Sequence, residues 1–196
     1  MNGQTHEQFA IGFAVTSAMV MRAASLTELN KYSCVVIGLP FVLAGAKFPD
    51  YDIKWDSIGD KNMIKFAINK LITLTGGKHR SRHTHSVDIA IIALILGIGI
   101  NSILYNKRLI TYMDSSIINL TVVNFVLGWI SHLVCDMLNP SGIYLTAFYP
   151  KIKLHIVPKK ILWIDCGTGG VWEGLVYKVA WVLNIILVLT LIFTKI

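Results

Sequence analysis

Ile89-Ala90-Ile91-Ile92-Ala93-Leu94-Ile95-Leu96 is the centre of an apolar stretch over 87–104. It is long and uncharged enough to cross the roughly 30 Å hydrocarbon core of a bilayer as a helix. Ile185-Ile186-Leu187-Val188-Leu189, within 175–193, reads the same way, and three further apolar stretches, 9–24, 33–48 and 117–138, make a set of five. The first two are near the lower length limit, and 9–24 holds Thr16, Ser17 and Arg22, so these two are expected to be tilted or packed inside the bundle. The expected fold is all-α: an integral membrane helical bundle of about five spans. Composition agrees, with 54% hydrophobic and 15% charged residues against about 25% charged in an average soluble domain. A length of 196 residues suits a single domain, 1–196. The start, Met1-Asn2-Gly3-Gln4-Thr5-His6-Glu7, lacks a basic region, and no Ala-x-Ala site follows the first apolar stretch, so no cleavable signal peptide is expected.

Alternating the five spans puts the N-terminus and the connections 49–86 and 139–174 on one side. Thirteen of the 18 lysines and arginines fall there, so that side is expected to be cytoplasmic and the C-terminus outside. The net charge of +7 is assigned to the same lysines anchoring loops at anionic headgroups, in preference to nucleic acid. Cys34, Cys135 and Cys166 have no close spacing, which suggests neither a disulfide framework nor a thiolate metal site. Within 49–86, the segment Lys61 to Ile72 places Ile64, Ala67, Ile68, Leu71 and Ile72 on one helical face flanked by lysines, the pattern of a helix lying in the headgroup plane. In the other loop, Lys151 to Pro158 alternates like a short strand, with Ile161-Leu162-Trp163-Ile164 as its hairpin partner.

The chemistry-bearing residues gather at span ends on the basic side. In Ser131-His132-Leu133-Val134-Cys135-Asp136 a helix sets His132 and Asp136 one turn apart on one face. That spacing suits a divalent ion, and equally a structural His–Asp hydrogen bond. Phe48-Pro49-Asp50-Tyr51-Asp52 puts two carboxylates after the second span, either as ligands or as a solvated turn. Lys78-His79-Arg80-Ser81-Arg82-His83-Thr84-His85-Ser86 packs three histidines and three cations before the third span. There Thr84 or Ser86 is expected to cap the helix, its free N–H groups favour an anion, and Arg80 and Arg82 suit phosphate or serve as anchors. With His6, four distant regions supply His and Asp to one membrane face, and this convergence points to a metal site. Glu7, Asp88 and Glu173 are read either as groups orienting the imidazoles or as surface charge; His155 reads as a surface residue.

These motifs resemble the LexA-regulated, membrane-bound metal-dependent hydrolases called YdjM-like. The matching elements are Thr5-His6, Pro49-Asp50-Tyr51-Asp52, the block with His79, Arg80, Thr84, His85 and Ser86, and the motif 128–142 carrying Ser131, His132, Asp136 and Pro140. Order and approximate separations agree over 5–150. One departure is that Ser81, Arg82 and His83 separate Arg80 from Thr84 where the family block has two residues, so either His79 or His83 takes the first ligand position. The order is more distantly similar to the all-helical zinc-dependent phospholipase C group. The resemblance implies a membrane-embedded, metal-dependent hydrolase-like domain cleaving a phosphoester, such as a phospholipid or lipid-linked phosphate, with zinc as the first choice of metal and room for more than one ion. The expected ligands are His6, Asp50, Asp52, His79, His83, His85, His132 and Asp136, with Asp52 also a candidate base and Arg80 a candidate phosphate contact. The competing class is a non-enzymatic membrane protein whose metal serves structure or partner docking. A transporter fits less well, because transporters coordinate near the midplane.

Overall fold

The computed structural model describes residues 3–23, 29–52, 63–74, 82–149, 152–161 and 164–194. Among these residues are five long helices: α1 (Gly3–Ala23), α2 (Lys31–Lys47), α4 (Val87–Asn106), α5 (Tyr112–Met137) and α6 (Val171–Phe193); the shorter α3 (Met63–Leu74) lies between α2 and α4 in sequence. At 1.5 Å per residue, a helix of 20 residues reaches about 30 Å. Among the described residues, four segments are long and apolar enough to cross a membrane: Lys31–Asp52, Val87–Asn106, Tyr112–Met137 and Val171–Phe193. The protein is thus an all-α membrane helical bundle. More polar than these, α1 is not among the four, where about five spans were expected, and it packs against α2, α5 and α6.

The tightest packing is between α2 and α5. A Cβ on Gly45 would stand 1.9 Å from the Phe125 carbonyl oxygen, and one on Gly128 would stand 2.0 Å from that of Val42. Backbone meets backbone there, which is how small residues bring membrane helices together. Elsewhere side-chain amides tie the helices: Asn101 Nδ2 donates to the Ser115 carbonyl (2.9 Å) and to Asn119 Oδ1 (2.7 Å), and Asn184 Nδ2 donates to the Gln8 carbonyl (2.8 Å). In a medium without water such amides must find partners.

The ends of the helices are marked by local chemistry. Asn30 accepts from the Ser33 N–H (2.9 Å) to start α2. Thr111 and Asp114 form a reciprocal capping box that starts α5. After α2 the chain makes a 3-10 turn, Pro49–Asp52. Beyond α5, β1 (Ile143–Tyr144) pairs antiparallel with β2 (Lys153–Leu154), and β3 (Lys160–Ile161) pairs with β4 (Ile164–Asp165). The expected strand near Lys153 therefore exists, but its partner lies upstream, at Ile143 and Tyr144. There the Leu145 N–H donates to the Ile152 carbonyl, while in the expected partner segment Ile161 pairs with Ile164.

The helix expected within 61–72 is α3, and its faces divide differently from the sequence pattern. Asn69 and Ile72 are buried, whereas Met63, Phe66, Leu71 and Leu74 point outward. Asn69 decides this, because its Nδ2 donates to the Tyr51 carbonyl at 2.6 Å and so turns that side of α3 onto the 3-10 turn.

Candidate metal centre

The start of α1, the end of α2, the start of α4 and the end of α5 meet at one end of the bundle. His6 contributes from the first turn of α1; it is buried, as is its neighbour Thr5, whose hydroxyl donates to Glu173 Oε1 (3.1 Å) at the head of α6. Glu173 also accepts the Gly169 N–H at 2.6 Å. It is therefore a buried tie between α1 and α6, which is neither the imidazole-orienting role nor the surface charge read from the sequence. Glu7 pairs with Lys47 (2.8 Å) at the exposed edge. Asp88 fastens the loop beyond β1 to α4, accepting from Thr146 Oγ1 (2.5 Å) and the Ala147 N–H (3.0 Å).

The turn before α4 was expected to cap that helix and hold an anion, but the structure uses it otherwise. Ser86 occupies the cap position and its side chain makes no capping hydrogen bond. A carboxylate is already present, since Asp88 accepts the Ile89 N–H at 2.9 Å. Thr84 is engaged with the site: its hydroxyl donates to Asp52 Oδ2 (2.6 Å) and lies 2.9 Å from His85 Nδ1. The backbone on either side is pinned, as Trp129 Nε1 donates to the Thr84 carbonyl (2.7 Å) and the Tyr144 N–H to the His85 carbonyl (2.9 Å).

Proton positions follow from these partners. A hydroxyl has one hydrogen, and Thr84 gives it to Asp52; it therefore accepts from His85, placing the His85 proton on Nδ1. His132 Nδ1 lies 2.7 Å from the Ala46 carbonyl oxygen. A carbonyl accepts only, so His132 is also protonated on Nδ1. That carbonyl belongs to the last turn of α2, where the helix leaves acceptors without partners. Both rings consequently turn a bare Nε2 lone pair inward, and these two Nε2 atoms, with His6 Nδ1, are buried without a hydrogen-bond partner.

The inward atoms face carboxylates. Asp136 Oδ1 is 3.6 Å from His6 Nε2, and its Oδ2 is 3.6 Å from His132 Nε2 and 3.7 Å from His85 Nε2. Asp50 Oδ1 stands 3.8 Å from His132 Nε2. Lone pairs set against anionic oxygens in a buried cluster are unfavourable unless a positive charge lies between them. Two groups among the described residues are close enough to hold a metal ion, His6 with His132 and Asp136, and Asp50 with His85 and His132. Ligands about 2.0–2.2 Å from a tetrahedral ion lie roughly 3.3–3.6 Å apart, close to the separations here. The donor set, imidazole nitrogens and carboxylates, fits a divalent cation.

Of the ligands expected from sequence, the structure brings together His6, Asp50, His85, His132 and Asp136. Asp52 sits just behind, 3.4 Å from His85 Nδ1 and buried, in the position of a carboxylate that orients a ligand imidazole. His83 lies in the turn before α4 and belongs to neither group. His79 and Arg80 lie outside the described residues, and His155 is exposed. Sequence reasoning did not find Thr84 as the link between Asp52 and His85, nor the Ala46 carbonyl as the partner of His132. The signal for the first was the Thr-His pair; the second depends on helix packing. No curated protein and no solved structure matches the chain. The sequence model of the YdjM inner membrane protein family matches residues 1–196, and the protein belongs to that family.

Proposed function

We propose that the protein is a metal-dependent hydrolase at the cytoplasmic face of the membrane, cleaving a phosphoester such as a phospholipid or lipid-linked phosphate. The observation that carries this reading is the pair of buried, unpartnered Nε2 atoms on His85 and His132. Each ring is fixed from behind, and each faces a carboxylate. Zinc is the first choice because imidazole and carboxylate in a compact set suit it. Asp136, with its two oxygens turned to different histidines, would hold an ion together with His6 and His132.

When bound, a divalent cation supplies Lewis acidity and lowers the pKa of water beside it. Asp50, whose side chain is 44% exposed while His132 is fully enclosed, is the open edge of the centre. It would take a proton from the water whose oxygen bonds to phosphorus and return it to the leaving oxygen as that oxygen's bond to phosphorus breaks. Asp52 holds His85 through Thr84. Arg82, exposed before α4, and Arg80 are assigned to the phosphate oxygens, for which a guanidinium fork is shaped. The non-enzymatic alternative, a structural metal, draws on the burial of the other ligands, and it requires no open coordination position.

Metal analysis of the purified chain, with a phosphoester and phospholipid screen run with and without chelator, tests the proposal. Bound divalent metal and chelator-sensitive release of product are expected, with both lost in His132→Ala and Asp136→Ala. Folded variants that keep the wild-type metal content would sink the ligand assignment. Stoichiometric metal with no hydrolysis across the screen would favour the structural alternative.

A further inference from the structure

Two apolar hollows run along α1. One, about 390 Å³, lies between α1 and α6 and is lined by Phe9, Val179 and Leu183 among others. The second, about 370 Å³, lies between α1 and α5, beside Met21, Val123 and Leu127. They meet at Phe13 and Thr16, which line both. They exist because α6 lies along α1 and meets α5 near the site end, where Cys135 packs on Val176 and Trp172 Nε1 donates to the Leu138 carbonyl (3.0 Å). Beyond that point α5 and α6 share little contact, and the cleft between them is floored by α1.

From Gln8 to Met21 the hollows follow α1 for roughly 20 Å, a length that suits an extended acyl chain. The lining is almost wholly apolar, so water gains no partners there. Val20, Val179 and Leu183 are each at least half exposed, which makes the cleft continuous with the membrane-facing surface of α6. The head of the cleft adjoins the metal centre: Phe9 is one turn after His6, and it packs with Cys135, the neighbour of Asp136.

We infer that this cleft seats an acyl chain of a membrane phospholipid, holding its phosphate headgroup level with His6 and Asp136. This deepens the phosphoesterase reading and rests on it for the fate of the headgroup, whereas chain binding can be observed separately.

The test uses the purified full chain in detergent, a phosphatidylglycerol carrying a diazirine in its acyl chain, irradiation, and mapping of labelled peptides by mass spectrometry. Label is expected to concentrate on 9–21 and 172–187 over α4, although Ile95 and Leu96 of α4 are just as exposed. Val179→Trp and Leu127→Trp, which fill one lobe each, are expected to reduce cleft labelling to the level of α4, and Ile95→Trp to leave it unchanged. Labelling spread evenly over α4 and the cleft would overturn the inference, as would labelling indifferent to both filling variants. So would protection of the cleft by self-association, read by light scattering. Should a filling variant fail to fold, the distribution on the wild-type chain decides alone. His132→Ala is expected to lose metal and keep cleft labelling, whereas a wild-type chain that labels in the cleft yet binds no metal would retain the lipid site and discard the hydrolase.

Discussion

His85 reaches the centre through a side chain that is not itself a ligand. Thr84 shares one hydroxyl between Asp52 and His85, fixing the ring's tautomer and direction. Thr84→Val keeps the shape and removes both hydrogen bonds, and partners of this kind are worth roughly 10–100-fold in metal affinity. A loss of that size is expected in a competitive metal titration, with Thr84→Ser restoring most of it; equal affinity in Thr84→Val and wild type would remove Thr84 from the account. Thr84 is a positioning residue, so thermal unfolding of the metal-free chain should move far less than metal affinity does. At this scale the sequence was readable where a helix fixes geometry and unreadable where a turn does. His132 and Asp136 are one helical turn apart whatever surrounds them. That the ring of His85 points inward is set in the turn before α4 by contacts with Asp52, Trp129 and Tyr144, all remote in sequence.

Between elements, the seam of α2 and α5 controls whether His132 can reach the Ala46 carbonyl. Gly45 and Gly128 are the contact points, and a methyl group at either would strike backbone, which cannot move aside as a flexible side chain can. Gly45→Ala and Gly128→Ala are each expected to destabilise the chain by about 1–3 kcal/mol, the usual cost of overpacking, and to weaken metal binding by drawing α2 away from His132. Gly99→Ala is the control, since nothing lies within 4 Å of its added methyl and the better helix propensity of alanine is worth at most about 1 kcal/mol. Thermal unfolding in detergent reads all three; a Gly45→Ala chain as stable as Gly99→Ala would show that the seam is looser than described. Helix positions were legible from apolar length alone. The inward face of α3 was not, because its apolar residues nearly encircle it, and a single amide, Asn69, picks the side. The pairing of β2 was also hidden, since two equally strand-like neighbours flank it and the loop geometry after α5 chooses between them.

For the molecule as a whole, the helix ends themselves record an alternating topology. The centre gathers the start of α1, the end of α2, the start of α4 and the end of α5, and Thr5 adds the head of α6 through Glu173. At the opposite end Lys31, starting α2, donates to the Thr194 carbonyl beyond α6. The centre's end of the bundle therefore carries the His and Asp cluster and both ends of the connections 49–86 and 139–174, the segments that hold most of the lysines and arginines in the sequence. Excess positive charge in short loops sets the cytoplasmic side, so the centre is expected to face the cytoplasm. Single cysteines can read this, because Cys34, Cys135 and Cys166 are all buried and contribute little background. His155→Cys, exposed beside β2, is expected to react with a membrane-impermeant maleimide in inverted vesicles and to resist it in intact spheroplasts. Leu109→Cys, 70% exposed between α4 and α5, is expected to do the reverse. Labelling of His155→Cys from outside would turn the bundle over and place the substrate on the far leaflet. Labelling of both positions from one side would mean that α4 and α5 do not separate them by a membrane span, removing the alternation on which the shared face of the centre depends.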